Sequence, residues 1–532
     1  MKCLFVVALS IVIGAAAGNL VQVFPADGKQ LDILSGLGIA FYAQMANSYV
    51  GVLNPEQVAH LHQQGIACQD FGAAPSQGEF FIVTPPGEYD LEGASKVVAE
   101  YARILVPYAG MFLVVGQPPM IEYLPNLRYH IAHIPRQPIV LPHRFAPGMA
   151  SGTKYNAVVQ WVINQITPGE LARFIRDLSG ENPVTVGGRT DTIRSRYYTN
   201  TKNSVALRYY VERVQSYGVD SVAYHLFNQD SNVIATRVGR IYPRQQYLIG
   251  GHIDDVPSTG NAPGADDNLT GTVAGLIAAK YIRGIPFKRT IKFVAWNSEE
   301  QGLYGSAAYA SQARARGDSI RGYFNGDMIA YETSNFDSIR CYNGGRAGSI
   351  PLSTKFNQMN IDYSLGLRIR VSTAAPANSD HYSFWQNGYE AVDIYEDDVN
   401  PWYHTANDRI LTLDTVYYCK VVKCMVASIL ELAEPDTLFP GVAEENKVAI
   451  NRTGPLAIRS NPSRRVVQFE MTDPGAARGA IDIYDIAGKL VNQKPYVVSP
   501  DQLLRLTLRP GVYFAQYRSG DKVSTGKFVV LD

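Results

Sequence analysis

Residues 247–271 read YLIGGHIDDVPSTGNAPGADDNLTG, and no other stretch constrains the chain as much. Tyr247-Leu248-Ile249 is an apolar run of the kind found in a strand buried on both faces of a sheet. Gly250-Gly251 ends the run, and His252, Asp254 and Asp255 follow at once. A turn-rich loop then leads to Asp266 and Asp267 and to a helix start. Four carboxylates and an imidazole therefore crowd the mouth of one buried strand. Burying such charges is costly unless they are paired or hold a cation. A metal site answers that cost, and it predicts further ligands elsewhere in the chain.

Those ligands are to be sought where strands end. From 151 to 435 helical and strand periods alternate, which predicts an α/β domain. Its central sheet is expected to be mixed, mainly parallel, and sandwiched by helices. The strand 290–296 runs into Asn297-Ser298-Glu299-Glu300. The strand beginning at Gly322 reaches Asp327, and the strand 389–395 is followed by Trp402-Tyr403-His404. So His252, Glu299, Glu300, Asp327 and His404 all fall at or just past the C-terminal ends of strands. That edge is where open α/β sheets build their sites.

Two imidazoles with several carboxylates suit zinc in a site that keeps an open position. The expected assignment is one zinc on His252 and Asp327 and a second on Glu300 and His404, with Asp267 bridging. A bridging carboxylate screens the repulsion between two divalent ions, which together hold a shared water and lower its pKa. Glu299 points differently from its neighbour Glu300 and is expected to act as general base. Asp254, two residues past His252, is placed to accept the second ring N–H of that histidine. Asp255 and Asp266 are expected to be outer-shell or solvent-facing, and Asp380-His381 to cap and brace a loop.

Six motifs, GGHIDD, PGADDN, SEE, NGDMI, SDH and WYHTAND, occur in an order that resembles the secreted zinc aminopeptidases of clan MH. That group includes bacterial leucyl aminopeptidase and aminopeptidases S and Y. The resemblance covers roughly 155–435. It implies an eight-stranded mixed sheet, two co-catalytic zinc ions, and removal of N-terminal residues from peptides. It also places the ligand and catalytic roles on the residues just named. One segment departs from the pattern: some relatives carry a Cys-bounded loop with a Tyr before SDH, where this chain has Ala374-Ala375-Pro376-Ala377-Asn378. Two other chemistries use the same scaffold, carboxypeptidase-like cleavage and glutaminyl cyclisation, and a receptor-like binding protein is a third alternative. The complete two-metal ligand set argues against the cyclase and the receptor.

The rest of the chain frames this domain. At 532 residues two to four domains are expected. The N-terminus, MKCLFVVALSIVIGAAAGNL, reads as a secretory signal removed near Ala17 or Gly18, leaving a soluble protein outside the cytoplasm or at the cell surface. Residues 19–150 look like an α/β domain: a helix at 55–61 and a strand at 79–83, then a helix at 93–105 and a strand at 111–115. Helix and strand follow in the same order twice, which hints at a duplication. Its histidines, His60, His62, His130, His133 and His143, have no acidic clusters beside them, so no chemistry is predicted there; a propeptide-like cover over the site is the role considered. Residues 436–464, rich in Pro, Glu and Asn, read as a linker, and 465–532 as a small β-sandwich. NPSRR, IYDIAGKLV and LRPGVYFAQYRSGDKVSTGKFVVL resemble the sorting tails of secreted bacterial proteins, which implies contact with secretion machinery or the cell surface.

With 48 basic and 48 acidic residues, no net field attracts nucleic acid or an anionic membrane, and peptides are the partners expected. Past the leader no apolar run is long enough to span a bilayer. Cys68, Cys341, Cys419 and Cys424 are too few for a disulfide framework and are expected to be free thiols.

Overall fold

A computed structural model describes residues 18–435, except 87–89, 136, 142–155 and 229. Beyond that it describes 456–459, 463–464, 466–471, 478–485, 490–497, 504–519 and 522–531. The leader at 1–17, His143 and most of the expected linker lie outside these residues. The chain divides into one unit, up to Tyr281 and from Arg289 to Ala433, and a second, Ile282–Lys288 with Glu434–Asp532.

The first unit is built on an eight-stranded sheet. Its spatial order is Ser221–Phe227, Asp230–Arg237, Arg289–Trp296, Tyr242–His252, Ser319–Gly326, Ala391–Glu396, Ser338–Tyr342 and Arg368–Ser372. The four middle strands, from Arg289–Trp296 to Ala391–Glu396, run parallel to one another. Antiparallel pairing on either side of them makes the sheet mixed. The strands Ser338–Tyr342 and Arg368–Ser372 are short and half polar, so hydrophobic periodicity did not reveal them.

One face of the sheet carries the helix Leu269–Tyr281, all of whose first eleven residues are buried. Small residues let it lie close: a Cβ at Gly271 would stand 1.9 Å from the Gly326 carbonyl oxygen. The long helix Thr415–Ala433 packs beside it, against the helices Ala157–Gln165, Pro168–Leu178 and Ser349–Asp362. Each fully buried Leu, Ile or Val on such a face contributes about 1.5–3 kcal/mol. Tyr323 and Phe384, with ring centroids 4.7 Å apart, belong to the packing around the helices Tyr304–Arg316 and His381–Gln386.

The N-terminal residues fold as strand, helix, two strands, helix and strand, twice over. The first copy runs Asn19–Phe24, Gly28–Gly36, Phe41–Met45, Ser48–Leu53, Pro55–Gln63 and Ala67–Ala73. The second runs Glu79–Thr84, Leu91–Tyr101, Arg103–Tyr108, Met111–Gly116, Pro118–Ile121 and His130–Ile134. Each makes a four-stranded antiparallel sheet with the same strand order, in which the third strand lies beside the first. The helix expected over 93–105 stops at Tyr101: Ala102 is already extended, and Arg103–Tyr108 pairs with Met111–Gly116 across Ala109-Gly110. Both turn residues have positive φ, 52° and 81°, the conformation a tight hairpin needs. Leu20, Met45, Val50, Ile82, Leu113 and Ile134 share one continuous apolar core with Trp296, Tyr309, Tyr323, Phe384 and Trp385. The N-terminal repeats therefore pack directly on the domain that carries the central sheet.

The second unit is a pair of sheets, three strands and five, closed over Val467, Phe469, Ile481, Ile483, Leu506, Ala515, Phe528 and Val530. Its strands include Leu456–Arg459 and Ser463–Arg464, so part of the expected linker is strand. The strand Leu490–Val497, not foreseen from the sequence, carries lysine, proline and asparagine within it. Cys68, Cys341, Cys419 and Cys424 are free. Among the described residues no helix is long and apolar enough to cross a membrane.

Candidate metal centre

Four adjacent parallel strands deliver the site. His252 is the last residue of Tyr242–His252, and Asp254 and Asp255 follow it. Glu299 and Glu300 lie three and four residues past the end of Arg289–Trp296. Asp327 directly follows Ser319–Gly326, and His404 sits in the loop after Ala391–Glu396. Asp267 comes from the loop before the helix Leu269–Tyr281. All of these side chains belong to residues at most 6% exposed.

Asp267 stands between the two imidazoles. Its Oδ1 lies 3.2 Å from His252 Nε2, and its Oδ2 lies 3.0 Å from His404 Nε2. On one side Asp327 Oδ1 and Glu299 Oε2 are each 3.7 Å from His252 Nε2. On the other Glu300 Oε2 is 3.0 Å from His404 Nε2. Donor atoms of His252, Glu299 and Asp327, and of His252, Asp267 and Glu300, fall within 4.8 Å of one another. The structure thus brings together His252, Asp267, Glu299, Glu300, Asp327 and His404.

The ring tautomers follow from hydrogen bonds. His252 Nδ1 is 3.1 Å from the Asp254 carbonyl oxygen, and His404 Nδ1 is 2.5 Å from the Pro125 carbonyl oxygen. A carbonyl only accepts, so each Nδ1 is the donor and each Nε2 faces the acids. Asp254 therefore holds His252 through its backbone. Its carboxylate lies 3.7 Å from that ring and instead accepts the Glu299 and Glu300 backbone N–H groups, at 3.1 and 3.2 Å.

The electrostatics are those of a cation cradle. Burial opposes protonation of His252, but Glu299 and Asp327 outweigh it and draw the imidazole well above its usual range. His404 is pulled up to about 10 against the same burial, by Glu300 and Asp267. Burial pushes Asp327 up to about 6, Asp254 to about 7 and Asp380 to about 8. Glu299 is raised well above the ordinary carboxyl range by burial, with His252 opposing. Asp267 Oδ2, Glu300 Oε1 and His404 Nε2 are buried without a hydrogen-bond partner. Orphaned nitrogen and oxygen donors converging on one space fit divalent cations of borderline hardness, zinc above all.

Strain accompanies the ligands. Ser298 before Glu299, Met328 after Asp327, and His404 itself have φ of 58°, 51° and 60°. Such residues cost about 1–3 kcal/mol each and persist where the surroundings over-determine them.

Three supports went unrecognised in the sequence. Arg196 is fully buried and donates to the carbonyls of Ile253, Leu178, Pro263 and Gly264 while pairing with Asp255 at 3.1 Å. It ties the His252 strand end to the Asp267 loop, and Asp255, far from facing solvent, is its counter-ion. No local pattern around Arg196 announces this. Asp408 accepts the backbone N–H groups of Asp266 and Asp267, each at about 3.0 Å, and it had a signal as the last residue of WYHTAND. His130, expected to have no part in the chemistry, is half-buried with its ring 6.1 Å from that of His404, and desolvation lowers its pKa to about 4. His381 donates from Nε2 to the Pro376 carbonyl and faces Asp393, and so braces the 374–381 loop.

The chain is similar to known proteins over this domain and over its C-terminal strands. Residues 232–428 match the family described as Peptidase family M28, and 460–531 match the Secretion system C-terminal sorting domain. Leucine aminopeptidase 1 of Trichophyton equinum is 30% identical over 289 residues, 49% of this chain and 76% of the relative. Leucine aminopeptidase 1 of Trichophyton rubrum is 29% identical over 286 residues, with the same shares. Among solved structures, LapB from Legionella pneumophila superposes with a TM-score of 0.53 at 18% identity, over 67% of this chain and all of that one. The LapA aminopeptidase of Legionella pneumophila gives 0.53 and 18% over 68% of this chain. At that identity the two structures speak for the fold alone.

Proposed function

The chain belongs to peptidase family M28 and carries a C-terminal sorting domain, and from that premise we propose that it is a secreted di-zinc aminopeptidase. The observation that carries the reading is the Asp267 carboxylate, one oxygen turned to each imidazole at 3.2 and 3.0 Å. His252 and Asp327 would hold one zinc and Glu300 and His404 the other, with Asp267 placed between the two. When bound, such a pair polarises a peptide carbonyl and acidifies a shared water.

The remaining work belongs to the chain. Glu299 takes the proton of the attacking water on its carboxylate and passes it to the departing amine. Its position supports that role: Glu299 Oε2 lies 3.7 Å from His252 Nε2, beside the space the zinc ions would fill. Asp254 sets both partners at once: its carbonyl orients His252, and its carboxylate fixes the backbone that aims Glu299 and Glu300. The substrates are peptides with a free N-terminus, and leucine is the first residue to try, given the leucine aminopeptidases among the relatives. The sorting domain supports an extracellular or cell-surface location, and the N-terminal repeats, the peptidase domain and the sandwich are read as three functional segments.

Hydrolysis of a panel of aminoacyl p-nitroanilides tests the reading. Expected are turnover of free-amine substrates, none of their N-acetylated forms, loss on chelation and recovery with zinc. Turnover that survives stripping of zinc, or that is undiminished in Glu299→Gln, would overturn it.

A further inference from the structure

His252 and His404 need the same thing from their surroundings: an acceptor on Nδ1 that leaves the Nε2 lone pair for a metal. For His252 the acceptor is the Asp254 carbonyl, two residues along the same chain. For His404 it is the Pro125 carbonyl, 279 residues away, in the 3-10 turn Leu124–Leu127 of the N-terminal repeats. We propose that the segment Tyr123–His130 is a working part of the metal centre, a positioning element that fixes the tautomer and aim of His404. The zinc position formed by His404 and Glu300 is then completed only by the N-terminal domain. This rests on the di-zinc reading above.

The segment is clamped to the ligand loop from several directions. Arg128 donates from Nε to the Tyr403 carbonyl at 3.3 Å and from its terminal nitrogen to the Pro401 carbonyl. Its guanidinium also lies 5.6 Å from the Tyr403 ring centre. In return the Tyr403 hydroxyl donates to the Arg128 carbonyl at 2.6 Å. His130 stacks on the Tyr403 ring at 5.5 Å. On the opposite lip, Asn126 Oδ1 accepts from the Ser258 backbone N–H at 3.0 Å. These contacts surround a histidine whose own φ is 60°, and Arg128 sits at 70°, a region that residues with a Cβ rarely adopt. Arg128 and Tyr403, the residue next to His404, are joined by reciprocal bonds, and that makes a built joint. A cover shed from this surface would carry away the acceptor of a metal ligand.

Zinc itself is the probe, using the full-length chain and competition with a chelator of known affinity. Wild type should show two zinc sites with separately measurable dissociation constants. Arg128→Ala should weaken one of them by about 10–100-fold, the usual cost of losing such outer support, and leave the other within about 2-fold. Tyr403→Phe keeps the ring but removes the hydroxyl clasp; it should weaken the same site to a smaller degree, and it decides the matter if Arg128→Ala does not fold. Thermal unfolding of each zinc-free variant shows whether the fold is intact. Both dissociation constants unchanged in folded variants, or both weakened equally, would overturn the inference while the di-zinc reading stands. A wild-type chain that takes up fewer than two zinc ions would sink that reading and this inference together.

Discussion

The two imidazoles of the centre are held in opposite ways. His252 ends a strand whose neighbours on both sides are parallel and buried, and its Nδ1 partner is two residues away. His404 stands in a loop, in a left-handed backbone conformation, and its Nδ1 partner belongs to a distant segment. One half of the site is secured by the sheet, the other by docking. Local chain geometry suffices where the strand already points the ligand at the metal. Where it does not, contacts far apart in sequence supply the aim, and that half is the easier to disturb.

The first way to test that contrast is to strike what serves both halves. Glu299→Gln should cut kcat by about 100–10,000-fold, the range for a lost general base, with zinc content unchanged by elemental analysis. Loss of zinc along with activity would make Glu299 a ligand and blur the two halves. Next, Arg196→Met strikes the sheet-secured half from beneath. It leaves Asp255 buried without its counter-ion, so stability should fall by about 3–5 kcal/mol, read as a lower urea midpoint. A midpoint close to wild type would mean that the strand ends need no such brace. Asp408→Asn disturbs only the loop that carries Asp267. One of its accepted backbone bonds is lost, so kcat/KM should drop about 10-fold, near 1.4 kcal/mol. The smallest effect is expected from a chain ending before Leu456: kcat/KM for a peptide substrate should stay within about 2-fold. A large loss there would give the sorting domain a share in the chemistry.

How far the sequence could be read follows the same division. The strand-end acids and histidines were legible because ionisable residues directly after a buried apolar run are costly to keep unless a site uses them, and a single sheet edge gathers them. A duplication of the N-terminal region was hinted at, but in the wrong units: the helix at 55–61 and the strand at 79–83, read as one unit, belong to different copies, because the strands Asn19–Phe24, Phe41–Met45, Ser48–Leu53 and Ala67–Ala73 went unread. What escaped was what depends on partners remote in sequence. Arg196 stands in a stretch with no pattern, and its purpose appears only when four carbonyls from three separate stretches of chain, Leu178, Ile253 and Pro263-Gly264, converge on it. His130 looked like any isolated histidine until the second repeat was folded against Tyr403 and His404. The two repeats themselves differ for a readable reason. The first keeps an unbroken helix at Pro55–Gln63, capped by Asn54 and Gln57. The second also opens on proline, at Pro118 and Pro119, but Pro125 would fall in the interior of a continuous helix, where its missing N–H and its ring are not tolerated, and the segment breaks into two short turns. The Pro125 carbonyl closes its own turn by accepting the Arg128 N–H at 2.9 Å, and with its second lone pair it accepts from His404.

Anomalous scattering at the zinc absorption edge, from crystals of the zinc-loaded full-length protein, tests the central claim most directly. Two peaks about 3.5–4 Å apart, with the Asp267 carboxylate between them and one imidazole on each, are the predicted result. A single peak, or a second one away from His404 and Glu300, would contradict it.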